Sequence, residues 1–194
     1  MTHVLNLRQN GGVTSSFPLA KPRSPGYAAE DVDRFLADAR EAYAAPAASE
    51  ITSDAIRHTA FRVVRKNGYS VSHVDAALER LEEAFATQER ERALAQQGES
   101  AYYAEVRATA QEIVDRLARP EGKRFRRVGP FTVGYHPADV DAFAARLAVY
   151  FQEGAPLTVA TVRTIAFRPR LGGYQETQVD ILLDTVIRVM LAVR

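Results

Sequence analysis

Four aspartates, Asp33, Asp75, Asp141 and Asp180, recur at one place in a repeated pattern of this 194-residue chain, and a carboxylate tetrad could hold a metal ion if it converged. Each carboxylate belongs to its own repeat, so a local salt bridge or hydrogen bond within each turn is the plainer reading, with Arg57 and Arg163 as partners. The histidines, His3, His58, His73 and His136, have no metal-ligand spacing and no matched base or nucleophile. A basic stretch, Lys123, Arg124, Arg126 and Arg127, could meet lipid or nucleic-acid phosphates, or stand as a solvated loop. Cysteine is absent, which excludes disulfides, thiol catalysis and cysteine–zinc sites. There is no phosphate-binding loop, dinucleotide turn or hydrolase elbow. The expectation is a protein without catalytic residues, cofactor or metal.

The elements that position these residues come from an internal repeat. Gly-Tyr, four variable residues and Val-Asp occur four times: Gly26-Tyr27 with Val32-Asp33, Gly68-Tyr69 with Val74-Asp75, Gly134-Tyr135 with Val140-Asp141, and Gly173-Tyr174 with Val179-Asp180. Four fixed identities recur by chance on the order of once in 10⁵ starts, so common descent is the reasonable account. Apolar residues stay in step at the tenth, thirteenth and seventeenth positions after the Gly: Leu36, Ala39 and Tyr43; Leu78, Leu81 and Phe85; Ala144, Leu147 and Phe151; Leu183, Val186 and Met190. With the Val they make one stripe of an amphipathic helix, so each unit reads as a Gly-Tyr turn followed by a helix. Ser70 suits an N-cap and Pro137 a first helical position, while Glu30, Asp31, Asp139 and Glu176 complement the helix dipole. The Gly takes a positive φ or allows two backbones to approach closely.

Upstream segments sort the repeats into alternating kinds. Ile51-Thr52, Ile56-Arg57 and Ala60-Phe61-Arg62 answer Leu157-Thr158, Val162-Arg163 and Ala166-Phe167-Arg168, each a short helix capped by Thr52 or Thr158 and ending in a buried Phe. Phe17 and Phe125 lie nine residues before their Gly, and Pro22 and Pro130 five after their Phe. The spacing predicts an all-α fold of four repeats in two tandem pairs, A-B-A-B. The expected organisation is a flexible segment 1–16, a first pair 17–92 (17–43 and 51–86), a linking helix 93–118 and a second pair 119–194 (119–152 and 157–194). Tyr102-Tyr103 reads as buried against the next helix or as a surface patch.

Phe, a short basic stretch, Gly-Tyr, four residues, Val-Asp and an apolar pair resemble the N-terminal domain of DivIVA proteins, and specifically the DivIVA-domain repeat proteins of Gram-positive bacteria. The matches run over Ile51 to Phe85 and Leu157 to Met190, with weaker ones at Phe17 to Tyr43 and Phe125 to Phe151, about two thirds of the chain. The resemblance implies a cytoplasmic, non-enzymatic scaffold that self-associates, lies at the inner face of the membrane, and docks division or envelope-growth proteins. It also implies that each tandem pair is a pseudo-dimer of two such domains on one chain.

Two features depart from the scaffold members. No long heptad tail is present, because the helical run near 71–97 stops at Gly98. The exposed Phe-Arg that those members carry before Gly-Tyr is replaced by Ser24-Pro25, Lys66-Asn67, Thr132-Val133 and Leu171-Gly172. The nearest substitutes are Phe131 and the Arg170-Leu171 pair, with Arg168 and the basic stretch nearby. The expected partners are other proteins, a further copy of the chain and, weakly, an anionic membrane surface. The alternative is a small DNA-binding regulator, since Thr158 to Val189 reads as short helix, turn and longer helix. Gln175, Glu176 and Gln178 at its groove-reading positions argue against nucleic acid. With 25 basic and 24 acidic residues the formal charge is +1, so no global field points to a polyanion. No apolar run reaches the roughly 20 residues of a membrane span, and Met1 to Gly12 lacks signal-peptide character.

Overall fold

The computed structural model describes residues 17–46 and 50–193; segment 1–16 and loop residues 47–49 lie outside them. Its elements are β1 (Gly26–Tyr27), α1 (Ala29–Ala44), α2 (Ser53–Arg57), β2 (Val63–Val64), α3 (Val71–Gln97), α4 (Glu99–Leu117), β3 (Val133–Tyr135), α5 (Pro137–Glu153), α6 (Val159–Arg163), β4 (Pro169–Leu171) and α7 (Glu176–Ala192). The fold is mostly helical, with two small two-stranded ladders that the all-α expectation lacked. Two compact units divide the chain, Met1–Phe85 and Ala86–Arg194. The division falls inside α3 rather than after residue 92. Helix α4, expected as a linker, belongs to the second unit, where it packs on α5 and α7 and buries Ile113 and Leu117. No described helix is long and apolar enough to cross a membrane.

Each repeat helix opens three residues after its Gly, at Ala29, Val71, Pro137 and Glu176. The reason is the same each time. The N–H of the motif Val donates to the carbonyl of the residue just before the helix: Val32 to Ala28, Val74 to Ser70, Val140 to His136 and Val179 to Gln175. That bond closes the first turn, and all four valines are buried at 2% exposure or less. Pro137 takes the first position of α5, and Thr52 and Thr158 cap α2 and α6 by accepting from Ala55 and Thr161 N–H, each at 3.1 Å. The apolar stripe is buried or half-buried throughout, save Tyr43, which is 43% exposed because α1 stops one residue later and buries Ala42 instead. Phe61 and Phe167 follow their short helices, which end at Arg57 and Arg163, and are half-buried rather than buried. Gly98, at φ 82°, separates α3 from α4.

The Gly-Tyr dipeptides are extended crossings, not turns. Tyr27 N–H donates to Tyr69 O at 3.0 Å while Tyr69 N–H donates to Tyr27 O at 2.8 Å. Tyr135 and Tyr174 exchange the same two bonds at 3.0 and 2.8 Å. Antiparallel pairing of β1 with β2 and of β3 with β4 continues each crossing, in the registers Gly26 to Val64 and Gly134 to Arg170. None of the four motif glycines has positive φ; they are required by close approach. A Cβ on Gly26 would lie 2.6 Å from Tyr69 O, and one on Gly134 2.2 Å from Tyr174 O.

Candidate interaction site

The crossing brings each motif Tyr to the motif Asp of the sister repeat. Tyr69 donates to Asp33 at 2.9 Å, and Tyr174 donates to Asp141 at 3.1 Å. Tyr27 and Tyr135 lie close enough to Asp75 and Asp180 to feel their charge. Asp33 and Asp141 therefore bond across repeats, which corrects the expected bond within each turn. Arg57, expected to serve one of them, pairs instead with buried Glu82 at 2.8 Å. Among the described residues no three His, Asp or Glu side chains are placed to hold a metal.

Around each Tyr the same rings gather. Phe17 meets Tyr69 edge-on at 5.4 Å and Phe125 meets Tyr174 at 5.3 Å. Phe61 meets Tyr27 at 5.5 Å and Phe167 meets Tyr135 at 5.2 Å. Arg62 spans Glu30 and Asp31 in the first unit, and Arg168 holds Asp139 at 2.6 Å in the second. The hydrogen bonds from these arginines draw the Asp31 and Asp139 carboxyls well below the usual range. Asp180 goes the other way, raised by its own burial.

Burial beside an aspartate raises Tyr27, Tyr135 and Tyr174, and pushes Tyr135 to about 12. A folded-state pKa above the unfolded value of 10.0 means that these phenols stabilise the fold while protonated. For Tyr135 that contribution is complete below pH 10 and disappears as pH rises toward 12. Alkaline denaturation followed with a spectrophotometric tyrosinate titration is expected to place unfolding in this window; stability flat across it would refute the Tyr–Asp exchange.

The basic stretch does not act as one surface. Arg124 is 9% exposed and turns inward, donating to the Asp141 carboxylate at 3.0 Å, to Asp141 O at 3.1 Å and to Leu117 O at 2.9 Å. Its place as a contact residue is thereby corrected: the cation neutralises a buried acid and is lost to solvent. Arg168 is exposed but committed to Asp139. Lys123, Arg126, Arg127 and Arg170 are exposed, and Arg127 lies 5.3 Å over the Tyr174 ring.

Beyond them the second unit ends in an apolar tip. Phe131 is 93% exposed, and Val133 and Leu171, paired across the ladder, are 52% and 59% exposed. In the first unit the corresponding loops carry Lys21, Arg23, Arg65 and Lys66, all exposed. Tyr102 and Tyr103 are half-buried and meet edge-on at 5.3 Å. The segment between α6 and α7 contains β4, which pairs with β3, so it lacks the tight turn of a DNA-reading helix pair. Gln178, at a groove-reading position, accepts from Arg126 N–H at 3.0 Å. The phenol crossings themselves were missed by sequence reasoning, although the strict co-occurrence of Tyr and Asp was their signal. No protein-family model, curated protein or solved structure matches this chain.

Proposed function

We propose that the chain is a non-enzymatic interaction module of the DivIVA type, two pseudo-dimers on one polypeptide, that docks other proteins in bacterial cell division or envelope growth. The observation that carries this reading is the reciprocal crossing, in which two Gly-Tyr repeats exchange backbone bonds and the phenol of one bonds the carboxylate of the other within each unit. Such an arrangement spends the recurrent polar residues on holding surfaces in place, leaving exposed side chains to meet partners. Affinity capture from the native cell, with localisation of a fluorescent fusion, tests it: enrichment at poles or septa with envelope-growth machinery is expected. An evenly distributed fusion that captures nothing refutes it.

The apolar tip supports peripheral contact with the inner membrane face as part of the same role. Phe131, Val133 and Leu171 are exposed, with the exposed Arg170 next to Leu171 in β4, an apolar tip with a neighbouring cation. Sedimentation with anionic vesicles is expected at low salt, weakened by Phe131→Ser with Leu171→Ser and by added salt. Absence of sedimentation at low salt removes the membrane contact.

A further inference from the structure

An open cavity of about 500 Å³ lies at the start of α5, walled by Arg127, Arg170, His136, Ala138, Asp141 and Glu121 among others. Backbone pairing aligns this place with its counterpart in the first unit. Leu19 bridges Tyr69 as Arg127 bridges Tyr174. Val64 lies opposite Gly26 as Arg170 lies opposite Gly134. Ala28 N–H donates to Arg62 O as His136 N–H donates to Arg168 O, and two residues later Glu30 stands where the second unit has Ala138. Three apolar residues are thus two guanidiniums and an imidazole in the second unit, and an acid is gone. The crossing does not require this change, because the first unit builds the same ladder and helix start without it.

Among the described residues neither guanidinium has a carboxylate partner. Arg127 donates to Gly172 O at 3.0 Å, and Arg170 Nη1 donates to His136 Nε2 at 3.0 Å. That contact places the ring proton on Nδ1, which is buried with no hydrogen-bond partner; the Asp139 carboxylate is 3.8 Å away. Of the acids in the wall, Asp141 already accepts from Gly122 N–H, Arg124 and the Tyr174 hydroxyl, and Glu121 is exposed. The opening turn of α5 adds the Ala138 N–H alone, since Pro137 carries none and the Asp139 and Val140 N–H groups donate to His136 O.

The geometry points to a phosphate-binding pocket that takes the phosphate of a phosphomonoester, with Arg127 and Arg170 on its oxygens and His136 and the start of α5 beside them. Two guanidiniums with no acid partner among the described residues suit a dianion, and the volume leaves room for the organic group. A soluble phosphomonoester and the headgroup of phosphatidic acid offer the same chemistry. This inference rests on the pocket and the comparison between units, not on the scaffold role.

Titration calorimetry of the full chain with phenyl phosphate is expected to give one saturable site, competed by inorganic phosphate. Arg170→Val and Ala138→Glu install the residues that the first unit carries, so the fold accommodates them. Each is expected to weaken binding about tenfold or more without changing the melting temperature. Vesicles of phosphatidic acid in phosphatidylcholine assign the source. Sedimentation that phenyl phosphate displaces and Arg170→Val abolishes identifies the lipid headgroup, and phenyl phosphate binding without sedimentation identifies a soluble ester. No saturable binding of phenyl phosphate, or binding that both variants leave intact, overturns the proposal.

Discussion

Gly134→Ala is expected to unfold the second unit. The added Cβ would stand 2.2 Å from Tyr174 O and 3.1 Å from Tyr174 C, both backbone atoms held by the crossing bonds they make. Neither strand can withdraw without losing the exchanged N–H···O pair and the buried Tyr174 ring behind it, which is 0% exposed. A loss of about 4 kcal/mol or more follows, at the upper end of what single substitutions do. Gly154→Ala is the control: nothing lies within 4 Å of its Cβ, so only the φ of 70° opposes it, at about 1 kcal/mol. Chemical denaturation of both variants checks the contrast. Wild-type stability in Gly134→Ala would mean that the two backbones do not meet there.

Asp141→Ala carries the second large effect, because the carboxylate has three partners in the interior. Removing it leaves the Arg124 guanidinium, 10% exposed, as an uncompensated buried charge, and strands the Tyr174 hydroxyl and Gly122 N–H. Breaking such a pair costs about 3–5 kcal/mol. In the first unit Asp33→Ala removes the acceptor of Tyr69 without exposing a buried cation, and about 1 kcal/mol is expected. Replacing Arg124 with Met in the Asp141→Ala background is expected to recover part of the loss, since the unpaired charge goes with it. Equal effects of Asp33→Ala and Asp141→Ala in urea unfolding would contradict the buried pair.

Much of the helical framework was legible in the chain. The helix starts signalled by Ser70 and Pro137, the motif valines on the apolar stripe, the threonine caps and the break at Gly98 are local, and helical periodicity and cap chemistry report local things. The crossings were not legible, because strands of two or three residues are too short to display alternation. Tyr and Asp of one repeat sit six residues apart and suggested a bond inside that repeat; their partners lie more than 30 residues away. Spacing alone carries no information on contacts at that range. Arg124 was hidden for a different reason. Five neighbouring residues include four cations, and composition does not say which one turns inward to meet an acid from the next helix. The cavity by α5 became readable only after the ladders fixed which residues of the two units correspond.

The reciprocity of the crossings limits how such a chain can be shortened or lengthened. Tyr69 and Tyr174 find their acceptors in the sister copy, and every motif glycine makes room for the sister's backbone rather than for its own. A solitary copy would leave a hydroxyl, a carboxylate and two peptide groups without their mates. The smallest inheritable piece of this architecture is therefore the pair: a gene encoding it can gain or lose repeats in twos, and an odd number would carry one member that has nothing to close against.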